Sequence, residues 1–195
     1  MLKNTFQIGI LSLFYSLNND SLELFRTNGN TDKGNWIEMT IDQDIHSKVL
    51  ELRSENISNC YITSPSDPLK ALSIKLPILL VILKNMDKYF SFEIQVLDDR
   101  NQKRRIRISN FQDQVVKTEM ISTIPMVLDR GWNTIQHNLQ DLVHQLYGSN
   151  FVEVERITFH ANTRLRRIAF TEKIYTLHDM PNEFKLNLPI DSHYK

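Results

Sequence analysis

Residues 76–109 (LPILLVILKNMDKYFSFEIQVLDDRNQKRRIRIS) constrain the fold more than any other stretch, because they join the longest apolar run, the cleanest alternation and the densest positive charge in the chain. Residues 76–83 are apolar except for Pro77, are too few to span a bilayer, and are bounded by the polar segment 84–88. That pattern predicts a strand buried on both faces. From Tyr89 the period is two: Phe90, Phe92, Ile94 and Val96 share one face, and Ser91, Glu93 and Gln95 the other, as in a half-buried strand. After Asp98-Asp99-Arg100-Asn101-Gln102 the alternation returns, with Ile106 and Ile108 set between Arg105, Arg107 and Ser109. A hairpin follows.

Parity sets its register. If the two apolar faces coincide, paired positions share parity and the loop has an odd number of residues; closure at Asp98 and Gln102 then pairs Ile94 with Ile106. Glu93 faces Arg107 in this register, a cross-strand pair worth roughly 0.2–1 kcal/mol, and Gln95 meets Arg105 beside it. The outer face is expected to be a basic ridge.

With 23 Lys and Arg against 23 Asp and Glu the net charge is zero, so no global field steers the chain, and an electrostatic partner must be met through a local patch. The 195 residues, 41% hydrophobic and 24% charged, suit a soluble globular core and read as a single β-sandwich domain over 1–195. Cys60 is the only cysteine, which excludes an internal disulfide and favours a reducing compartment. In the opening MLKNTFQIGILSLFYSL a lysine precedes an apolar stretch, but Gly9, Ser12, Tyr15 and Ser16 interrupt it and no small-x-small site follows. It reads as a strand or amphipathic segment rather than a signal peptide.

Residues 26–35 (RTNGNTDKGN) are the most loop-like and are expected to be mobile. Residues 45–52 and 61–63 read as strands, the second broken by Ser64-Pro65-Ser66-Asp67-Pro68, and 115–128 reads as a strand with Pro125 at an edge or bulge. One helix is predicted over 138–147. Leu139, Leu142, Val143 and Leu146 fall at i, i+3, i+4 and i+7, Asn138 and Asp141 match an N-cap and its third-position acid, and Gly148 suits the stop. Strands return at 151–160 and 165–170. The class is mainly β: most simply a sandwich of two antiparallel sheets with one short α-helix.

Catalytic equipment is not evident. Five glycines and no phosphate-loop or dinucleotide pattern argue against nucleotide binding, and neither a Gly-x-Ser-x-Gly elbow nor a His-Glu-x-x-His pair occurs. His137 and His144, if both helical, would stand about 10 Å apart, too far for one metal. Asp98 and Asp99 point to opposite faces of a strand, and acids flanking Arg100 and Asn101 are turn chemistry. Cys60 reads as a small buried hydrophobe. No enzymatic activity, cofactor or metal is expected.

The charges are more informative. Arg100, Lys103, Arg104, Arg105 and Arg107 place five cations in eight residues, and Arg164, Arg166 and Arg167 form a second cluster. These are either solvated faces neutralised by the chain's own acids, Glu93 among them, or contacts with an acidic surface. No aromatics interleave with them to stack bases, which argues against nucleic acid. Trp36 and Trp132 offer another class of function, a glycan or small-ligand binding module that stacks its ligand on the sandwich surface.

The segments KNTFQIGILSLFYSL, YITSPSDP, KYFSFEIQVLDD, KRRIRISNFQ, GWNTIQHNLQDL, FHANTRLRRIAF and EFKLNLP, spread from Lys3 to Pro189, resemble the cilia- and flagella-associated protein twenty family, also called the basal-body up-regulated protein family. The resemblance implies a non-enzymatic β-sandwich, jelly-roll or carbohydrate-binding-module-like, in the axoneme and basal body of the cilium or flagellum. It would be cytoskeletal, on the cytoplasmic side and not secreted. It also implies binding to α/β-tubulin, to parkin co-regulated protein and to other inner-junction proteins, where the family helps close the B-tubule onto the A-tubule of doublet microtubules and supports axoneme stability and motility. Neither nucleic acid nor a membrane is an expected partner. The eight clustered cations are the expected protein-binding residues. Residues 26–39 depart from the family pattern with an Asn/Gly-rich stretch ahead of Trp36, and no tubulin contact is carried over to them.

Overall fold

The computed structural model describes residues 1–3, 5, 7–118 and 120–186; the end of the closing motif, 187–189, lies outside the described residues. Two sheets face each other across one apolar core. The first comprises β1 (Ile10–Tyr15), β3 (Asn35–Asp42), β4 (Ser47–Ser54), β6 (Ile78–Asn85), β11 (Gly131–Asn138) and β13 (Thr163–Thr171), in the order β11-β6-β13-β4-β3, with β1 along the second half of β13. The second comprises β2 (Arg26–Asn28), β5 (Tyr61–Ser64), β7 (Ser91–Asp98), β8 (Lys103–Ser109), β9 (Val116–Lys117), β10 (Ser122–Pro125) and β12 (Phe151–His160), in the order β2-β5-β12-β7-β8-β10-β9.

The mainly β sandwich with one short helix expected from the sequence is the fold observed, and within its otherwise antiparallel sheets β10 runs parallel to β8. After β8 the chain swings out to form the edge strand β9 and turns back through a hairpin, so the inserted β10 travels in the direction of β8. The single strand expected over 115–128 is thus two short ones.

The β7–β8 hairpin has the register that parity demands: Ile94 opposite Ile106, Glu93 opposite Arg107, Gln95 opposite Arg105. Phe92, Ile94, Ile106 and Ile108 are fully buried, and Phe92 stacks on Phe159 of β12 with centroids 5.0 Å apart. The loop closes where the Asp98 amide donates to the Gln102 carbonyl at 3.0 Å, with Asn101 at φ 58°, a left-handed conformation that asparagine tolerates. β6 is covered on both sides, which accounts for its lack of alternation. Leu79, Val81 and Leu83 belong to the intersheet core, while Leu80 and Ile82 pack with Ala169 against Met180 and Phe184 of the C-terminal segment.

The helix, α1 (Leu139–Tyr147), begins one residue later than its pattern suggests, because Asn138 is still extended at the end of β11. The Asn138 side chain accepts from the amides of Gln140 and Asp141, Leu139, Val143 and Leu146 are buried, and Gly148 ends the helix at φ 62°. His137 lies on β11 rather than on the helix, so it and His144 never share a helix face. Residues 26–35 include β2 and a 3-10 turn, Thr31–Lys33, capped by the Asn30 side chain.

A charged cluster ties the first sheet together on its outer side. The fully buried carboxylate of Asp42 accepts from Lys84 Nζ at 2.9 Å, Arg164 Nη1 at 2.7 Å and Trp132 Nε1 at 3.1 Å. Asp44 also pairs with Lys84 at 2.7 Å, and Glu51 with Arg164 at 3.1 Å. Burial alone would raise the Asp42 pKa, but the bonds from Lys84, Arg164, Trp132 and the Asp44 amide outweigh it and hold the carboxyl far below the usual carboxylate range.

Because this pKa is lower in the folded state, the stability it contributes is present above the unfolded value of about 4 and is lost as pH falls through and below it. Denaturant titrations should show wild-type stability falling from about pH 5 downward, with Asp42→Asn flattening part of that fall. At pH 7 the same variant should cost about 3–5 kcal/mol, since it removes the buried charge that Lys84 and Arg164 share and leaves them only Asp44 and Glu51. Phe92→Ala should cost about 3–5 kcal/mol and Asn138→Ala about 1 kcal/mol; a larger loss for the cap than for the core would contradict the packing described.

Candidate functional site

Alternation sends Lys103, Arg105 and Arg107 of β8 to the outer face of the second sheet, where Glu93 of β7 lies beneath two of them. Arg105 Nε donates to Glu93 Oε2 at 2.7 Å, and Arg107 Nε and Nη2 donate to Oε1 at 3.0 and 2.6 Å. The Arg105 and Arg107 side chains are 52% and 37% exposed, and that of Glu93 only 6%. Burial pushes the Glu93 pKa up, but the bonds from Arg107 and Arg105 more than offset this and hold it below its ordinary value. The acid is therefore ionised and covered, while its partners reach solvent.

Glu155 of β12 repeats the arrangement one row away, taking Lys103 Nζ at 3.1 Å and Gln95 Nε2 at 2.7 Å. An irregularity in β12 between Val154 and Arg156 makes this possible. The extra residue lets Val154 and Ile157 both stay in the core while Glu155 turns outward. His160 Nε2 stands 3.8 Å from Glu93 Oε1, with its ring against Tyr61. Burial lowers the His160 pKa against the opposing pull of Glu93, which keeps the imidazole neutral at pH 7.

The other clustered cations are not on this face. Arg104 shares the parity of Ile106, so its Nε donates to the buried Asp98 at 2.8 Å and its guanidinium lies 4.7 Å above the Tyr147 ring. Arg100 sits at the hairpin tip, donating to the Gly148 carbonyl at 2.7 Å just past the end of α1. Arg164, Arg166 and Arg167, the second cluster of cations expected to bind protein, each have partners within the chain. Arg164 belongs to the Asp42 cluster. Arg166 occupies a bulge in β13 and donates to Ser47 Oγ at 2.6 Å and the Lys48 carbonyl at 3.1 Å. Arg167, 5% exposed, is sandwiched between the rings of Tyr15 and Phe184 at 3.7 and 4.1 Å.

The remaining sequence candidates take structural roles. Asp98 accepts from the amides of Arg100 and Gln102, and Asp99 from Asn150, as turn chemistry requires. Cys60 is buried. Arg53 covers the Trp36 ring at 4.6 Å, and Trp132 is tethered to Asp42. Among the described residues no group of three or more His, Cys, Asp or Glu is placed to hold a metal, and no helix is long and apolar enough to cross a membrane. Sequence reasoning missed Glu155, Lys117 and Tyr147 as neighbours of the ridge. Tyr147 had a signal in its place at the helix end, whereas Lys117 had none.

The CFA20 domain model matches residues 1–188. The chain is 49% identical over 193 residues to cilia- and flagella-associated protein 20 of Chlamydomonas reinhardtii, covering 97% of this chain and 98% of that protein. It is 47% identical over 190 residues to the protein of the same name from Paramecium tetraurelia, covering 97% and 98%, and to that from Caenorhabditis elegans, covering 97% and 92%. Among solved structures, a xylan-binding domain is similar at a TM-score of 0.42 and 8% identity, over 84% of this chain and 97% of that one. By the family match and by near-complete alignment with these relatives, the chain belongs to the CFA20 domain family, that of the cilia- and flagella-associated protein 20 sequences.

Proposed function

We propose that this chain is a structural, non-enzymatic component of the ciliary or flagellar axoneme. It binds tubulin and helps form the inner junction that closes the B-tubule onto the A-tubule, beside parkin co-regulated protein. The observation that supports this reading is identity of 47–49% across nearly the whole length of relatives named cilia- and flagella-associated protein 20. The outer face of the second sheet supplies the contact, because Lys103, Arg105 and Arg107 are the clustered cations that the fold leaves reachable there by an acidic protein surface. An exposed ion pair contributes only about 0–1 kcal/mol. Placement of the charges gives specificity, and repetition along a microtubule lattice supplies the holding power.

Reversing Arg105 and Arg107 together is a poor test, since stripping both partners from buried Glu93 destabilises the fold itself by about 3–5 kcal/mol. Removing the acid together with its cations avoids this. The combined variant Glu93→Gln, Glu155→Gln, Lys103→Gln, Arg105→Gln and Arg107→Gln should stay folded by circular dichroism, yet its co-sedimentation with isolated doublet microtubules should weaken by about tenfold or more. Normal association of the folded variant would remove this face from the reading.

A further inference from the structure

β3 ends the described strand order of the first sheet. The second sheet ends in strands of three and two residues, β2 and β9, and such shortness blunts an edge against pairing. At the far edge of the first sheet, the loop before β11 is bound to Asn133 through the amide and carbonyl of Asp129. β3 has neither protection. It pairs with β4 over eight consecutive positions without a bulge, and Asn35–Asp42 contains no proline, lysine or arginine. The first pair of the ladder shows which backbone groups face the free side. The Asn35 amide donates to the Asn30 carbonyl and the Ser54 amide to Asn162 Oδ1, so neither amide is spent across the ladder. Alternation along an antiparallel pair then points the amides and carbonyls of Ile37, Met39 and Ile41 away from β4. Among the described residues only Gln43 Nε2, 3.5 Å from the Ile41 carbonyl, bonds to that row.

We propose that this edge takes an extended segment of a partner protein as an added strand, one that alternates apolar side chains with lysine or arginine. The inner row of β3 sets the apolar half of that pattern. Ile37 and Met39 pack at the margin of the intersheet core and Ile41 is 56% exposed, so apolar residues of an added strand extend the core beyond them. The outer row sets the charge. Exposed Glu38 lies directly opposite Glu51, and like charges so paired are destabilising. Arg164, which serves Glu51, is already divided between that acid and Asp42, and Arg53, diagonal to Glu38, lies over the Trp36 ring. A lysine or arginine entering opposite Glu38 relieves the repulsion from the free side. A second copy of β3 carries no cation to put there and brings Glu38 and Asp42 instead. The inference goes beyond the proposed contact with tubulin, since it concerns the other sheet and a basic partner rather than an acidic one.

A labelled heptapeptide of alternating lysine and valine, titrated with the full chain by fluorescence anisotropy and followed by hydrogen-exchange mass spectrometry, tests it. The wild type should bind saturably, and amide exchange across residues 37–41 should slow on binding. Glu38→Gln should bind about threefold more weakly. The same peptide methylated on its backbone nitrogens keeps its charge but loses its strand donors, and should bind about tenfold more weakly. Equal binding of the methylated peptide would mean charge attraction alone and overturn the site. So would an unchanged Glu38→Gln, protection confined to another part of the chain, or a wild type that ignores the peptide. Protection of 37–41 that is present without peptide and fades on dilution would assign the edge to a second copy and overturn the proposal.

Discussion

The outer surface of the second sheet depends on one register, Ile94 opposite Ile106. A slip of one residue in β8 would turn Ile106 and Ile108 to water, away from Phe92 and Ile94 of β7, and drive Arg105 and Arg107 into the core. Burying each of those four apolar side chains is worth about 1.5–3 kcal/mol, against at most about 1 kcal/mol for the Glu93–Arg107 pair. Apolar burial therefore chooses the register and the charges follow. The ion pairs are a consequence of that choice.

Once the register is set, each covered acid has to be satisfied, because a carboxylate cut off from water and left unpaired is far costlier than the pair is favourable. Glu93 has two arginines, Asp42 has Lys84 and Arg164, and Asp98 has Arg104, Ser149 and two backbone amides. On the Glu93 ridge and in the Asp42 cluster alike, the acid lies deeper than its cations. Asp and Glu are short, whereas the long apolar stems of Lys and Arg carry their heads outward. A chain of zero net charge thus presents a basic ridge without needing an excess of basic residues.

Much of this was legible in the alternation alone. The hairpin register, the double burial of β6 and the capped helix all follow from period, parity and cap residues read locally. What escaped the sequence lies in bulges and long-range insertion. An extra residue in β13 shifts Arg166 and Arg167 off simple parity, so three cations that look like one patch are distributed among the Asp42 cluster, two serine hydroxyls and a pair of aromatic rings. The bulge in β12 that turns Glu155 outward is likewise invisible without its partner strand. Arg104 is a different matter: its parity with Ile106 was readable, and counting cations by proximity in sequence obscured it.

These structural demands also bear on how the ridge can serve as a contact. Each of Lys103, Arg105 and Arg107 already has an acid below it, so meeting a second acid from a partner re-pairs a cation that is partly satisfied. The gain per charge is small, and so is the cost of leaving that charge in water when no partner is present. As the proposed docking face, the ridge is stable alone, selective through the spacing of its charges and weak per contact. Such a face suits a molecule whose attachment is multiplied along a repeating polymer, and would serve poorly for one that had to hold a single partner tightly.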